Sequence, residues 1–448
     1  MLPLNYTVPN KRTSNIQANK SIKNVIGKNV ATKTVNVLTV LVDFPDLPFD
    51  DNRLTSADTN MFYSSYTLEH YSDLMFSTSG FNGPSNQNLQ SAYQYYQQET
   101  GYEFFLTGTA FGWVTADSDS EIYGENDPEN NDSDQDAPEL VKQAVTKAVA
   151  ANSINLADFD LEDPFDLDQD GNLDEADGFI DHVNIFHSSV GEEAGGGVLG
   201  ENAIWSHRFF VNQTGSADTM GYEIPGTGLK VFGYTIQPID AAAGVVVHEF
   251  GHDLGLPDEY DTGDSVDGAP VGFWSLMASG TYGGSLSGDK PTTFSPYARD
   301  FLKERHNVNF MSQTTIDLNT LTGAPQSFDL VEASEHSTGI NQIKVTLPNP
   351  QIAFGAPYSE TYQYHSGQGH NLTNELSFEL TIPDSDSVSL QMKARWDIEQ
   401  DWDYVQIRAN GTSLLGNMTL ATNPQGVQYA QNADVTLLHK LTITKIII

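Results

Sequence analysis

Residues 245–261 read VVVHEFGHDLGLPDEYD. His248 and His252 stand four apart, the spacing that puts two side chains on one face of a helix. The apolar AAAGVVV before them can bury that helix, so a helix is expected over Ala241–Leu254 with Asp240 as its N-cap. Two imidazoles on one face supply two of the three protein ligands of a catalytic zinc, and Glu249 can reach a water at that metal without being a ligand. Gly255 comes three residues after His252, where the helix must end and the chain reverse, a place that suits a left-handed glycine. Asp258 follows three residues later and returns to the metal as third ligand, with the adjacent Glu259 as the alternative. One zinc ion is expected. It leaves a fourth position for water, with Glu249 as general base for attack on a peptide carbonyl.

Downstream, Trp274–Gly280 reads WSLMASG, and Met277 fits a tight turn beneath the metal. Tyr282 is either an oxyanion donor or an ordinary tyrosine beside that turn. The pattern H-E-x-x-H-x-x-G-x-x-D with a downstream Met-turn is the metzincin layout, with Asp in place of the third His.

A second signal is Asp166-Leu-Asp-Gln-Asp-Gly-Asn-Leu-Asp-Glu-Ala-Asp177. Asp166, Asp168, Asp170, Asp174 and Asp177 fall at loop positions 1, 3, 5, 9 and 12. Gly171 stands at 6, and Asn172 offers its carbonyl at 7. That is calcium-loop spacing with Asp for Glu at the last position. Neither flank reads as an EF-hand helix, so a structural calcium loop inserted in the catalytic domain is expected. Asp397, Glu399, Asp401 and Asp403 alternate, which on a strand puts four carboxylates on one face and calls for a second calcium. The carboxylates of Asp117–Asp136 are either a surface loop or a further calcium site. His182, His187 and His207 lack ligand spacing and read as structural. Gly195–Gly197 reads as a flexible rim of the substrate cleft.

Around these motifs the 448 residues carry 21 basic and 60 acidic side chains, a formal charge of −39. That sign disfavours a nucleic-acid binder. The absence of cysteine excludes thiol catalysis, zinc fingers and disulfide scaffolds. No run approaches the about 18 consecutive apolar residues of a membrane span. Residues 1–35 hold six basic side chains and no acidic one, and read as an arm or the remnant of a pro-segment. The start lacks an apolar signal region.

Val35–Phe44 is expected as a buried strand and Phe179–His187 as another, with a helix beginning at Asp136 and burying Leu140, Val141, Ala144, Val145 and Ala148. Beyond residue 318, SFDLVEA, QIKVTL, LSFELTI, VSLQMKARW and DYVQIRA alternate apolar and polar residues between turns, the signature of an antiparallel β-sandwich. The closing LLHKLTITKIII is either an ordinary last strand or an altered terminus. The fold class is therefore α+β. It comprises a metzincin-like peptidase domain at 36–318, a twisted mixed sheet carrying the active-site helix, and a jelly-roll-like antiparallel β-sandwich at 319–448.

HEFGHDLGLPDEYD, the Met277 segment, VLVDFPDLP at 40–48 and HSSVGEEAGGGVLGENAIWSHRF at 187–209 together resemble the immune inhibitor A family of secreted bacterial metallopeptidases. The likeness covers 36–310 and continues through YHSGQGHNL and WDIEQDWDY. It implies a zinc- and calcium-dependent endopeptidase, exported as a zymogen, that degrades host or environmental proteins as a virulence factor. The expected partners are protein or peptide substrates, with no nucleic acid and no membrane span, and the chain is expected to be a monomer. Two rival classes are a calcium-dependent adhesion module with a vestigial zinc site and a hydrolase of non-peptide amides.

Overall fold

The computed structural model describes residues 32–127, 133–165, 172–212, 220–262, 268–306, 308, 311–333, 339–348, 355–365, 367, 375–381, 389–395, 405–409, 412–414 and 440–447. The chain forms two compact units, 1–348 and 349–448.

The first unit is built on a five-stranded sheet. β1 (Lys33–Asp43) lies between β2 (Phe104–Thr115) and β3 (His182–His187), and β5 (Gly233–Pro238) lies between β3 and β4 (His207–Phe210). All pairings are parallel except that of β4, which runs antiparallel at the edge. β1 shows why a continuous apolar run was needed. Val35, Val37 and Leu41 enter one core, while Leu38, Val40 and Val42 enter the other. A parallel strand covered on both faces has no solvent side to make polar.

α3 (Ala137–Ala151) covers one face with Leu140, Val141, Ala144, Val145 and Ala148. The opposite face is covered by α1 (Leu68–Phe76), α2 (Ala92–Glu99), α4 (Ala243–Asp253) and α5 (Pro296–His306), which bring Tyr71, Tyr96, Phe250 and Leu302 into a single cluster with Met277. No helix among the described residues is long and apolar enough to cross a membrane.

Three local expectations need correction. Asp240 is not the N-cap of α4: that position is Ala242, which makes no side-chain cap bond. A main-chain oxygen does the work instead, because Gly244 N donates to Gly288 O at 2.8 Å. The strand expected over Phe179–His187 breaks at Asp181, whose carboxylate accepts from Leu161 N and Glu162 N. Residues 389–395, inside one of the expected sandwich strands, form no strand.

The first unit runs past the expected boundary at 318, because β6 (Gln313–Asp317) pairs in parallel with β7 (Gln342–Thr346). β7 is also tied to α5, through Gln342 Nε2 to Pro296 O at 3.2 Å and an ion pair of Lys344 with Asp300. In the second unit the described residues form one four-stranded antiparallel sheet. β11 (Lys440–Ile447) lies between β8 (Glu375–Thr381) and β9 (Gln406–Ala409), and β10 (Thr412–Ser413) borders β9.

Candidate metal centre

α4 carries both histidines on its buried face, with ring centroids 4.7 Å apart. Each ring is turned by a main-chain oxygen. His248 Nδ1 lies 2.9 Å from Leu276 O and His252 Nδ1 lies 2.8 Å from Leu256 O. A carbonyl can only accept, so each Nδ1 carries the proton and each Nε2 keeps a lone pair. Both Nε2 atoms face Asp258 Oδ1, at 3.4 Å from His248 and 3.1 Å from His252. The three ligating atoms lie within 4.8 Å of one another, and no other trio among the described residues meets that condition. Burial raises the Asp258 carboxyl, but the two imidazoles beside it outweigh burial and hold it below the usual carboxylate range.

The turn that returns Asp258 is set by the helix end. Gly255 N donates to His252 O and Leu256 N to Gly251 O, with Gly255 at φ +100°, the left-handed closure expected of glycine. Met277 is fully buried below, and its carbonyl accepts from Glu259 N at 2.7 Å. Gly251 lets that side chain approach, since a Cβ there would fall 2.7 Å from Met277 Sδ. The tight turn is closed by Ala278 N and Gly280 N on Ser275 O.

Glu249 is 4% exposed, and its Oε2 has no hydrogen-bond partner among the described residues. Burial pushes its carboxyl up to about 7, with Asp258 and Glu193 adding to the rise. Glu259 is not part of the trio, and its Oε1 accepts from Ser295 Oγ at the start of α5. Tyr282 is half-exposed. Partial burial pushes its hydroxyl up to about 12, helped by Glu193, Glu249 and Asp258 nearby. Tyr260, which sequence reasoning missed, shares that neighbourhood: burial raises its hydroxyl, with Asp258 and Glu249 adding to the rise. Its only signal in the sequence is its place two residues beyond Asp258.

The other histidines lie outside the trio. His187 Nδ1 lies 2.8 Å from Ser189 Oγ, and His207 lies between Trp205 O and the Tyr234 hydroxyl. His182 meets Asp253.

Of the expected calcium ligands, Asp166, Asp168 and Asp170 lie outside the described residues, as do Asp397, Glu399, Asp401 and Asp403. Asn172 donates to Glu175, and Asp174 pairs with Lys33 at 3.2 Å. Asp177 accepts from Phe179 N, and burial pushes its carboxyl up to about 7, with Asp163, Asp160 and Asp181 adding to the rise. In the Asp117–Asp136 stretch, Asp117 pairs with Lys147 and Asp134 with His207.

Residues 24–311 match the family model described as immune inhibitor A peptidase M6, catalytic domain. The chain belongs to the immune inhibitor A family of M6 peptidases. Residues 324–441 match that family's second module, an immune inhibitor A-like MAM domain. Among curated relatives, the pre-pro-metalloprotease PrtV of Vibrio cholerae is 44% identical over 395 residues, covering 88% of this chain and 43% of that protein. Immune inhibitor A of Bacillus thuringiensis subsp. alesti is 33% identical over 382 residues, covering 83% of this chain and 55% of that protein. The chain thus spans about half the length of the curated relatives it matches.

Proposed function

We propose that the chain is a zinc-dependent endopeptidase in which His248, His252 and Asp258 hold the metal and Glu249 is the general base. The observation that carries this reading is the convergence of two Nε2 lone pairs and one carboxylate oxygen from a single helix and its following turn. That donor set suits zinc in a catalytic site, which takes three protein ligands and keeps one position open. When bound, zinc supplies Lewis acidity to a water and to a carbonyl oxygen. Glu249 takes the proton of the attacking water and delivers it to the leaving amine. Its place beside His248 and outside the trio supports that role over ligation. The bond of Glu259 to Ser295 supports Asp258 as third ligand. Tyr282 and Tyr260 flank the two carboxylates and are candidates to hold the carbonyl oxygen of the substrate.

The substrates are proteins or peptides. The catalytic domain lies within the first compact unit, 1–348, behind an N-terminal arm or pro-segment remnant that ends before β1, and the second, sandwich-type domain lies C-terminal to it. The family match supports an exported enzyme that acts outside the cell. Casein hydrolysis tests the reading: a zinc chelator abolishes it and added zinc restores it. Hydrolysis indifferent to the chelator, or none in a zinc-loaded chain, contradicts the reading.

The spacing of residues 166–177 supports a structural calcium ion at that loop, with a second at Asp397, Glu399, Asp401 and Asp403. Calcium that binds only the folded loop stabilises by mass action, about 2.7 kcal/mol at a hundredfold excess over its dissociation constant. A calcium-selective chelator therefore lowers the melting temperature and speeds self-cleavage while zinc stays bound. Asp168→Ala with Asp170→Ala mimics the chelator. A double variant that melts and responds to calcium like wild type removes this loop from the account.

A further inference from the structure

α4 ends on a charge in the wrong place for helix stability. Asp253 is its last residue, and a carboxylate at a helix C-terminus is opposed by the dipole and the free carbonyls there. Its side chain is also buried, only 3% exposed, where an uncompensated charge is costly. Two groups compensate it. His182 Nδ1, on β3, lies 2.6 Å from Asp253 Oδ2, and Arg208 Nε, on β4, lies 3.3 Å from Asp253 Oδ1. These strands are not neighbours, for β5 runs between them. One carboxylate therefore ties the helix end to the sheet at two points on either side of β5. Arg208 is itself held, its guanidinium lying 4.1 Å from the Phe210 ring centroid and 5.4 Å from that of Phe165. Behind His182, Glu162 Oε2 lies 3.9 Å from Nε2 and pairs with Lys33 at 3.0 Å.

What adjoins Asp253 gives the tie its consequence. His252 precedes it, and the His252 ring is oriented by Leu256 O in the turn just beyond it. Gly255 and then Asp258 follow on the same short turn. The last turn of α4 carries His252 and the reversal to Asp258 together, so where that turn stands on the sheet sets the position of both against His248. Glu249 is the only other acid on α4, and it faces the trio.

We propose that Asp253 is a positioning residue: bonded to His182 and Arg208, it fixes the end of α4 and thereby the spacing of the metal-ligand set. This rests on the reading of His248, His252 and Asp258 as zinc ligands. Buried ion groups are often replaceable without loss of stability, so placement and stability are separable in experiment.

The test uses the full chain stripped of metal and titrated with zinc alone, with the melting temperature of each apo-protein and kcat and KM on a peptide measured alongside. Asp253→Asn binds zinc more weakly, by no more than the about 10–100-fold that loss of a ligand's direct partner costs, and kcat falls while KM stays put. His182→Asn shows the same pattern, and the double variant is no weaker than the weaker single. A merely structural residue would shift the melting temperature and leave the zinc constant of the folded protein unchanged. If Asp253→Asn does not fold, His182→Asn removes the same bond from the sheet side and decides the matter in the same terms. Wild type that binds zinc, with a folded variant that binds it equally tightly, overturns this proposal alone. Wild type that takes up no zinc overturns the ligand reading and this proposal with it.

Discussion

Glu249→Ala keeps its zinc and loses peptide hydrolysis by about 10²–10⁴-fold, the range a positioned general base contributes. The expectation follows from where the carboxylate stands. Glu249 lies one residue from His248, on the same buried stretch of α4, yet the converging trio is made without it. Its Oε2 is buried with no hydrogen-bond partner among the described residues, so the side chain is not spent on holding the fold. Truncation removes the proton acceptor and leaves both Nδ1 anchors, at Leu276 O and Leu256 O, untouched. Bound zinc and turnover are measured on the same sample. Wild-type turnover removes Glu249 from the mechanism, and loss of zinc makes it a ligand.

The parts of the site legible in the sequence are those whose geometry is local. His248, His252 and Asp258 are set by one helical turn and one glycine-closed reversal, so their spacing carries their placement. The same holds for the apolar run of β1, since a strand covered on both faces can be nothing else. What escaped the reading depends on distant chain. The Asp253 tie joins residues separated by 71 and 45 positions. Asp240 is not the cap because the helix starts only at Ala243, where Gly288 O, far downstream, accepts from Gly244 N. The alternation at Gln342–Thr346 marks a strand, but only the fold shows that it pairs in parallel with Gln313–Asp317 and belongs with the catalytic unit. Tyr260 carries no pattern of its own and joins the site through its nearness to Asp258 and Glu249.

The claim on which the rest depends is that Asp258, with the two histidines, holds the metal. Asp258 Oδ1 is the oxygen facing both Nε2 atoms, whereas Glu259 is engaged by Ser295 and by the Met277 carbonyl through its own main chain. An amide is a poorer zinc ligand than a carboxylate and carries no charge to balance the ion. The most direct measurement is the zinc dissociation constant of wild type, Asp258→Asn and Glu259→Gln, each stripped and titrated with zinc under one buffer. The expected result is tight binding by wild type, with Asp258→Asn weakened beyond the about 10–100-fold that a ligand's supporting partner costs, and Glu259→Gln close to wild type. If Glu259→Gln strips the zinc while Asp258→Asn retains it, or if wild type binds none, the metal centre described here is wrong.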